Sequence, residues 1–284
     1  MWLAWAMRLS WLSLPVTAGG VLADALAQRS DPVALVAAVL AWAAWAAVVL
    51  AVLLPRPVGL TALRLVAPAA FAAAVWAAAD TADGYVLAAL AGVPLVLAFL
   101  PETGGWFVNG AAYGYERRYP LRAPGALLLG PIPLAGIVAV AGVVAGPLLL
   151  AAEQWVAGGG ALVVGLPGAY LGARALHSLT SRWAVLVPAG LVLKDHVTML
   201  DPVLFKRQAI EVLRPAPAGT DSLDLTARSP GVALELRLRE PENLLLIEPG
   251  RKEGRPGKSS MLLFTPTRPG ALLADAGTRR IPLG

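Results

Sequence analysis

Long apolar runs separated by short polar turns fill the first 178 residues, and this pattern predicts membrane-spanning helices. A helix needs about 20 mostly apolar residues to cross the hydrocarbon core of a bilayer. Six segments meet or approach this length: residues 9–27, 33–54, 65–79 with an extension back towards Gly59, 85–100, 126–151 and 155–173. The sequence therefore predicts an α-helical integral membrane bundle of about six transmembrane helices.

The first of these segments has two interpretations. Residues 15–20 include one proline and two glycines, and Asp24 follows, so the segment is the weakest of the six spans. Arg8, a short apolar run and the Ala25-Leu26-Ala27 sequence are also typical of a signal peptide with an A-x-A cleavage site. A retained helix and a cleaved signal peptide are both kept as alternatives, and both leave the next loop outside.

The last two spans contain pairs of glycines four residues apart, Gly142 with Gly146 and Gly168 with Gly172. Small residues at this spacing let helix backbones approach closely in lipid, where burial between helices gives little hydrophobic drive. We expect these glycines to pack the two helices against each other, with a homo-oligomer contact as the alternative.

The pattern changes at Arg174–Asp195, after which short alternating runs replace the long apolar ones. In Val232–Arg239, three leucines alternate with Glu235, Arg237 and Arg239, which is typical of a half-buried strand. Further strands are predicted at Trp183–Val187, Leu191–Lys194, Lys206–Leu213, Ser222–Thr226, Leu244–Glu248 and Met261–Thr265. The chain therefore divides into a polytopic helical domain at 1–178 and a mostly β domain at 179–284.

A short helix is predicted at the end of the chain, over residues 267–277. Thr267 can serve as its N-cap, Pro269 is tolerated in the first turn, and Gly277 can end it. Leu272 and Leu273 are the side chains that this helix is expected to bury. Pro188-Ala189-Gly190 is expected to form the tight turn between the first two strands, since glycine readily adopts a positive φ.

Seven short strands followed by one helix, in about 105 residues, resemble the pleckstrin-homology-like (PH-like) barrel found at the ends of some bacterial membrane proteins. The resemblance covers residues 182–280 and lies in the order and spacing of the elements. It implies a bent sheet closed at one end by the helix. Many members of the family bind phosphoinositides through a long loop between the first two strands, which here is only 188–190, and other members bind proteins. Fold alone does not decide between these uses.

Composition and charge place the chain in a membrane with its tail inside. The chain is 57% apolar with a mean hydropathy of +0.67, which is typical of integral membrane proteins. Residues 1–178 carry a net charge of +1 and residues 179–284 carry +4, and there is no cysteine. Arginines in alternate short loops decide the orientation: those on the predicted inner side are Arg8, Arg56, Arg64, Arg117, Arg118 and Arg122, whereas the outer side has Arg29. Both termini are therefore predicted to be cytoplasmic, in the plasma (inner) membrane.

The longest predicted connection between spans, residues 101–125, is rich in aromatic residues. Its aromatic residues lead into Arg117 and Arg118, and such residues favour the lipid headgroup layer: Trp106, Phe107, Tyr113, Tyr115 and Tyr119. We expect either an interfacial belt or a docking surface for a partner or a lipid headgroup.

One predicted loop in the tail, residues 250–258, is strongly basic. It carries Arg251, Lys252, Arg255 and Lys258, and its glycines and proline predict a mobile loop. Near an anionic leaflet each positive charge contributes about 1 kcal/mol of attraction. A solvated loop that aids solubility is the alternative. The absence of aromatic residues among these charges argues against nucleic-acid binding.

Catalytic motifs are absent from the sequence, which has no zinc-protease helix motif, nucleophile elbow, phosphate-binding loop or dinucleotide fingerprint. His177 is expected at the end of the last span and His196 in a turn. Most carboxylates fall at span ends; Asp24 alone lies near lipid depth, and Asp80 with Asp83 makes at most a weak cation site. No cofactor, metal or catalytic residue is predicted.

The leading hypothesis is a non-enzymatic membrane scaffold or accessory subunit. Its tail would bind a membrane or cytoplasmic protein partner, or lipids of the anionic leaflet, through Arg117, Arg118, Arg251, Lys252, Arg255 and Lys258. The second hypothesis is a small transporter or lipid-handling protein with a regulatory tail. A continuous polar cavity would favour transport, and a dry, fully packed bundle would count against it. The third, a membrane enzyme, would need convergent polar groups.

Overall fold

The computed structural model describes residues 2–79, 84–248 and 251–284, and in it the chain forms two compact units. The helical unit comprises Met1–Gly110 and Pro131–His177. The β unit comprises Ala111–Gly130 and Ser178–Gly284. The second unit thus takes one segment from between two helices of the first.

The helices are α1 (Trp2–Leu12), α2 (Leu14–Thr17), α3 (Gly19–Ala27), α4 (Asp31–Leu53), α5 (Pro57–Ala78), α6 (Gly84–Phe99), α7 (Pro101–Asn109), α8 (Gly125–Leu128), α9 (Pro131–Ala151), α10 (Trp155–Thr180) and α11 (Pro269–Thr278). Four segments are long and apolar enough to cross a membrane: Asp31–Leu53, Pro57–Ala78, Gly125–Ala151 and Trp155–Thr180. A pair of helices bent by 61°, Ala88–Phe99 and Pro101–Asn109, makes a fifth if counted as one span. Four to five candidate spans are therefore present in the described residues, against the six predicted.

The weakest predicted span, residues 9–27, is divided among α1, α2 and α3, each too short to cross a membrane alone. Pro15 has no N–H to donate, and Gly19 and Gly20 follow at the start of α3. The first helix, α1, nevertheless lies antiparallel to α4: the Arg8 side chain donates a hydrogen bond to the Val52 carbonyl, and the Trp11 indole N–H donates one to the Trp45 carbonyl.

Glycines form the packing contact between α9 and α10, as the spacing predicts. A side-chain carbon at Gly142 would lie 2.1 Å from the carbonyl oxygen of Gly165, and one at Gly172 would lie 2.7 Å from that of Ala135. A carbon at Gly146 would meet Leu162 at 2.5 Å. The backbones can approach this closely only where no side chain intervenes, so the prediction of packing within the chain is confirmed.

The aromatic connection is not a simple loop. Residues 101–109 form α7, in which Phe107 is fully buried in the helical unit, and Arg117–Pro120 form strand β1. Tyr119 on β1 is 6% exposed and belongs to the core of the β unit, whereas Tyr113 and Tyr115 are 90% and 85% exposed. An interfacial belt over the whole segment was therefore wrong for Phe107 and Tyr119, which fill two different cores.

The β unit consists of two four-stranded sheets. Its strands are β1, β2 (Trp183–Val187), β3 (Gly190–Lys194), β4 (Val203–Lys206), β5 (Ile210–Pro215), β6 (Leu223–Asp224), β7 (Leu234–Glu248) and β8 (Arg251–Phe264). The first sheet is antiparallel in the order β1-β2-β3-β4. The second has the order β5-β7-β8-β6, and its β6–β8 pair is parallel. No closed barrel forms among the described residues.

The β2–β3 hairpin is confirmed, and Gly190 is needed there for two reasons. Its φ is +153°, and an added side-chain carbon would lie 2.0 Å from the carbonyl oxygen of Phe205 on the neighbouring strand. The single strand predicted over Lys206–Leu213 was wrong. It is two strands, because Arg207–Ala209 form a turn in which the Ala209 N–H donates to the Lys206 carbonyl.

The largest difference from the predictions is the β7–β8 hairpin. The two predicted strands at Val232–Arg239 and Leu244–Glu248 are one strand of fifteen residues, and Arg251–Phe264 pairs with it. The basic segment was predicted as a mobile loop, but Leu244 and Leu246 are buried and pair across the hairpin with Gly257 and Arg255. Because these buried leucines hold the end of β7 in place, the pairing of β7 with β8 includes residues 251–258.

The core of the β unit lies between these strands and α11. Leu272 is fully buried, as predicted, whereas Leu273 is partly buried and packs against the same core, so the prediction that α11 buries both is confirmed for Leu272 and only in part for Leu273. Pro269 lies in the first turn of α11 as expected. Arg268 occupies the N-cap position, and no side-chain cap bond forms, so the assignment of Thr267 as N-cap was wrong.

Candidate functional site

The predicted binding residues Arg117 and Arg118 are engaged within the β unit. The Nε of Arg117 lies 3.4 Å from the Oδ2 of Asp275 on α11. Arg118 donates to Glu116 at 2.5 Å, and its guanidinium lies 4.8 Å from the ring centroid of Trp183. With its side chain only 16% exposed, Arg118 presents little surface to a partner.

Asp275 also accepts a hydrogen bond from the hydroxyl of Tyr119, and so connects α11 to β1 through two side chains. Burial of the phenol and the adjacent Asp275 carboxylate raise the pKa of Tyr119 above its ordinary value. Tyr119 is therefore a neutral donor throughout the physiological range, and its role is to hold β1 in the unit.

The other four predicted residues all lie on β8. Arg255 is opposite Leu246 and Lys258 is opposite Asn243, and both are exposed. Because side chains alternate along a strand, positions three residues apart point to opposite faces of the sheet. Arg251 and Lys252 lie at the start of β8, and their side chains are outside the described part of the structure. The structure thus puts Arg255 and Lys258 on one strand but not on one surface.

A buried ion pair lies at the open end of the β2–β3 hairpin. Arg182 and Asp195 are 1% and 2% exposed, and Arg182 donates to both carboxylate oxygens of Asp195, at 2.6 and 2.7 Å. Its remaining nitrogen donates to the Arg122 carbonyl at 2.8 Å, and Asp195 accepts the Val197 N–H. All polar atoms of the pair are satisfied internally, so this is a structural element.

A second buried carboxylate is Glu235, which was predicted on the strand face opposite the leucines; that face was expected to be exposed, but it is covered at this position. Glu235 is 1% exposed and accepts hydrogen bonds from Arg214, Thr220 and Ser222, at 2.7–3.1 Å. Burial by itself raises its pKa, but the bonds from Thr220, Arg214 and Ser222 and the charge of Arg214 outweigh burial. The pKa of Glu235 is therefore below its ordinary value, and the group stays ionised.

The two histidines and the acidic residues form no recognisable reaction centre in the described residues. His177 lies in the last turn of α10 with its Nδ1 3.1 Å from the Thr61 hydroxyl, and His196 lies in the turn after β3, where burial lowers its pKa. Asp24 is exposed on α3, and Asp80 and Asp83 lie outside the described residues. Within residues 2–79, 84–248 and 251–284, no group of three or more histidines and carboxylates could hold a metal.

The most specific feature of the helical unit is an apolar groove of about 850 Å³ between α3, α4, α5 and α9. This volume lies in the range of roughly 300–1,000 Å³ typical of small-molecule sites. Alanines line much of its walls on α4 and α5: Ala37, Ala41 and Ala44 on α4, and Ala69, Ala70 and Ala73 on α5. Arg29 is the single charged residue among those that line it.

Two tryptophans stand at one end of the groove and bond each other's backbone. The indole N–H of Trp11 donates to the Trp45 carbonyl, and that of Trp45 donates to the Trp11 carbonyl, both at 3.1 Å. Trp42 packs edge-on against Trp45 with ring centroids 5.3 Å apart. Because both indole donors of Trp11 and Trp45 are used, this end of the groove offers an apolar surface.

The groove was not predicted from the sequence, although the sequence contains a signal for it. Alanines at positions 37, 41 and 44, and again at 69, 70 and 73, follow helical spacing and mark one face of α4 and one of α5. Two alanine-rich helix faces leave open space between them if they do not pack against each other. The sequence does not indicate whether they pack.

No family model matches the chain, and neither a curated protein nor a solved structure matches it.

Proposed function

We propose that this chain is a non-enzymatic, lipid-handling membrane protein whose helical unit holds a lipid acyl chain. The alanine-walled groove of α3, α4, α5 and α9 is the observation that carries this proposal. A polar pathway would favour transport of a soluble solute, and a dry, packed bundle would argue against any cargo. The groove is neither of these, because it is open space with an apolar lining.

The depth of the groove supports a lipid chain as its occupant. Its lining extends over Val33–Trp45 on α4 and over Val66–Trp76 on α5. At 1.5 Å per residue these stretches are about 18 and 15 Å long. One leaflet is half of a hydrocarbon core of about 30 Å. A transmembrane helix of a partner would need the full thickness, whereas one acyl chain needs only one leaflet.

The topology that we propose has six spans in the plasma membrane, with α1–α3 as a broken first span retained in the mature protein. The antiparallel contact of α1 with α4 supports retention, since residues of the first segment line the groove. Both termini and the β unit would be cytoplasmic, following the arginine bias of the loops. The β unit would be a PH-like module that regulates lipid handling, a likeness supported by its strand order along the chain and its C-terminal helix.

The experiment is purification of the full-length protein in mild detergent, followed by native mass spectrometry. The wild type should retain about one lipid per chain. Ala41→Leu/Ala73→Leu fills the groove from two walls and should remove it. Ala43→Leu/Ala72→Leu adds the same atoms to the same helices at positions outside the groove lining, and should retain it. A wild type without lipid, or equal occupancy in both variants, would contradict the proposal.

A second candidate function is the scaffold or accessory role, with the β unit binding a protein partner. The exposed apolar residues of the β7–β8 hairpin favour it, because Leu245 and Ile247 are 39% and 38% exposed. Replacing Leu245 and Ile247 with Ser should release a partner that co-purifies in equal amount with the wild type. Val232→Ser, at an exposed apolar residue outside the hairpin, is the control. A partner retained by the double variant would contradict this role for the hairpin.

A further inference from the structure

The mouth of the groove carries a cation and an aromatic ring. Arg29 lies between the end of α3 and the start of α4, and Trp76 lies two residues before the end of α5. Both line the groove, and the guanidinium carbon of Arg29 is 5.5 Å from the ring centroid of Trp76. Arg29 is exposed, and it forms no ion pair with a carboxylate among the described residues.

The positions of Arg29 and Trp76 at helix ends indicate the depth at which the mouth lies in a bilayer. Ends of spanning helices lie at the headgroup layer, and arginine and tryptophan side chains favour that layer. The opposite end of the groove, at Trp11 and Trp45, then lies near the middle of the hydrocarbon core. The groove is thus polar only where lipid phosphates lie, and its apolar part has the depth of one leaflet.

The net charge around the mouth limits how a ligand can be recognised there. Asp24 on α3 and Asp31 at the start of α4 are both exposed, so the segment 24–31 carries a net charge of −1. Long-range attraction would therefore not concentrate anions there. Recognition must come from direct contact of the Arg29 guanidinium with an acceptor, and phosphate oxygens suit its fork of N–H donors.

We propose that the groove binds one acyl chain of a membrane phospholipid, drawn from a single leaflet, with its phosphate against Arg29. This inference rests on the proposed function and adds the headgroup and the residue that recognises it. Arg29 selects a phosphate-bearing lipid, Trp76 holds the guanidinium over the mouth, and the paired tryptophans end the apolar part.

The test is lipid competition on the full-length protein, stripped of lipid and read by native mass spectrometry. Dioleoyl phosphatidylethanolamine and dioleoylglycerol, which share their acyl chains and differ in the phosphate headgroup, are offered in equal amounts. The wild type should prefer the phospholipid about tenfold, the size expected of one charge-assisted contact. Arg29→Gln should bind both lipids equally, with dioleoylglycerol binding unchanged. Arg174→Gln, at an arginine of α10 outside the groove lining, should keep the preference.

The outcomes separate the two proposals. If the wild type binds both lipids equally, or if Arg29→Gln keeps the tenfold preference, the headgroup assignment is overturned while lipid binding in the groove stands. If Arg29→Gln loses dioleoylglycerol as well, Arg29 supports the structure of the groove and is not a recognition residue, which also overturns the assignment. If the wild type binds neither lipid, the proposed function itself fails.

Discussion

The hydrogen-bond partners of buried and partly buried charged side chains differ between the two units. In the β unit, Arg182, Asp195 and Glu235 are at most 2% exposed and are held by other side chains. In the helical unit, arginines reach backbone carbonyls near the ends of neighbouring helices: Arg8 donates to Val52 near the end of α4, and Arg64 to Ala98 near the end of α6.

The difference follows from what surrounds each unit. The last carbonyls of a helix have no partner within it and carry its negative dipole, so an arginine there satisfies them while staying near the interface. A charge in mid-membrane would have neither advantage. In the β unit, Arg182 and Glu235 are stable when buried because the polar atoms of these two side chains meet partners of their own.

The largest effect is therefore expected from breaking the buried pair in the β unit. Asp195→Asn removes the negative charge and leaves the Arg182 guanidinium buried without it. Loss of one partner of a buried pair costs about 3–5 kcal/mol. Hydrogen exchange of the β2 and β3 amides in the full-length protein should report a loss of opening free energy of that size.

The control for this prediction is an ion pair of the same unit that is exposed. Glu211 and Arg237 lie 3.2 Å apart with side chains 45% exposed, and exposed pairs contribute about 0–1 kcal/mol. Glu211→Gln should change the same opening free energy by less than 1 kcal/mol. Equal losses in the two variants would show that burial does not set the value of these pairs.

The second prediction concerns the pH dependence that Glu235 gives to the β unit. Its pKa is lower in the folded state than the ordinary 4.5, so its stabilising contribution is complete above that value. The contribution is lost as the pH falls through the lower, folded-state pKa. At pH 7, Glu235→Gln should cost about 1.5–3 kcal/mol, since its hydrogen bonds involve a buried charge.

Opening free energies from hydrogen exchange at pH 7 and pH 4 provide the measurement. The gap between the wild type and Glu235→Gln should narrow at the lower pH, because protonation makes the wild-type side chain resemble the amide. Glu211→Gln again serves as the control. A gap that widens towards pH 4 would mean that the folded state raises the pKa of Glu235.

The elements of the fold that could be predicted are those whose pattern is local. The apolar runs of α4 and α5 and the β2–β3 hairpin are visible within single windows of sequence. The strand β1 was missed because Arg117–Pro120 has no alternation of its own and is a strand only by pairing with β2, more than sixty residues later. The burial of Glu235 was not predicted, because residues 220–222 cover a face that alternation marks as exposed.

The candidate site was less predictable, because it too depends on contacts between residues that are distant in sequence. The clustered charges of the sequence pointed to the basic residues of β8, but their spacing along the strand puts Arg255 and Lys258 on opposite faces. The groove arises from what alanine side chains leave unfilled between helices distant in sequence. Arg182 and Asp195 had a usable signal, since they flank a hairpin in register and are therefore cross-strand neighbours.

In the helical unit, close packing of small residues takes the place of buried charge, and a third prediction concerns this packing. Gly142→Ala places a carbon 2.1 Å from the Gly165 carbonyl oxygen, so α9 and α10 must separate. Such overpacking costs about 1–3 kcal/mol. Gly160→Ala, where nothing lies within 4 Å of the new carbon, should be neutral or stabilising. Unfolding in detergent micelles measures both variants, and equal behaviour would mean that the close approach is not needed.

The smallest effect is expected at the tryptophan pair, where the helical unit uses a neutral hydrogen bond instead of a charge. Trp45→Phe removes the indole N–H that bonds the Trp11 carbonyl, and leaves the Trp11 bond to the backbone of residue 45 in place. Hydrogen bonds between membrane helices contribute about 0.6 kcal/mol on average and up to about 1.7. The unfolding free energy in micelles should therefore fall by about 1 kcal/mol. Trp42→Phe is the control, because Trp42 is 57% exposed and packs edge-on against the Trp45 ring. A loss near that of Asp195→Asn would show that the lipid-facing unit depends on its polar contacts as strongly as the β unit does.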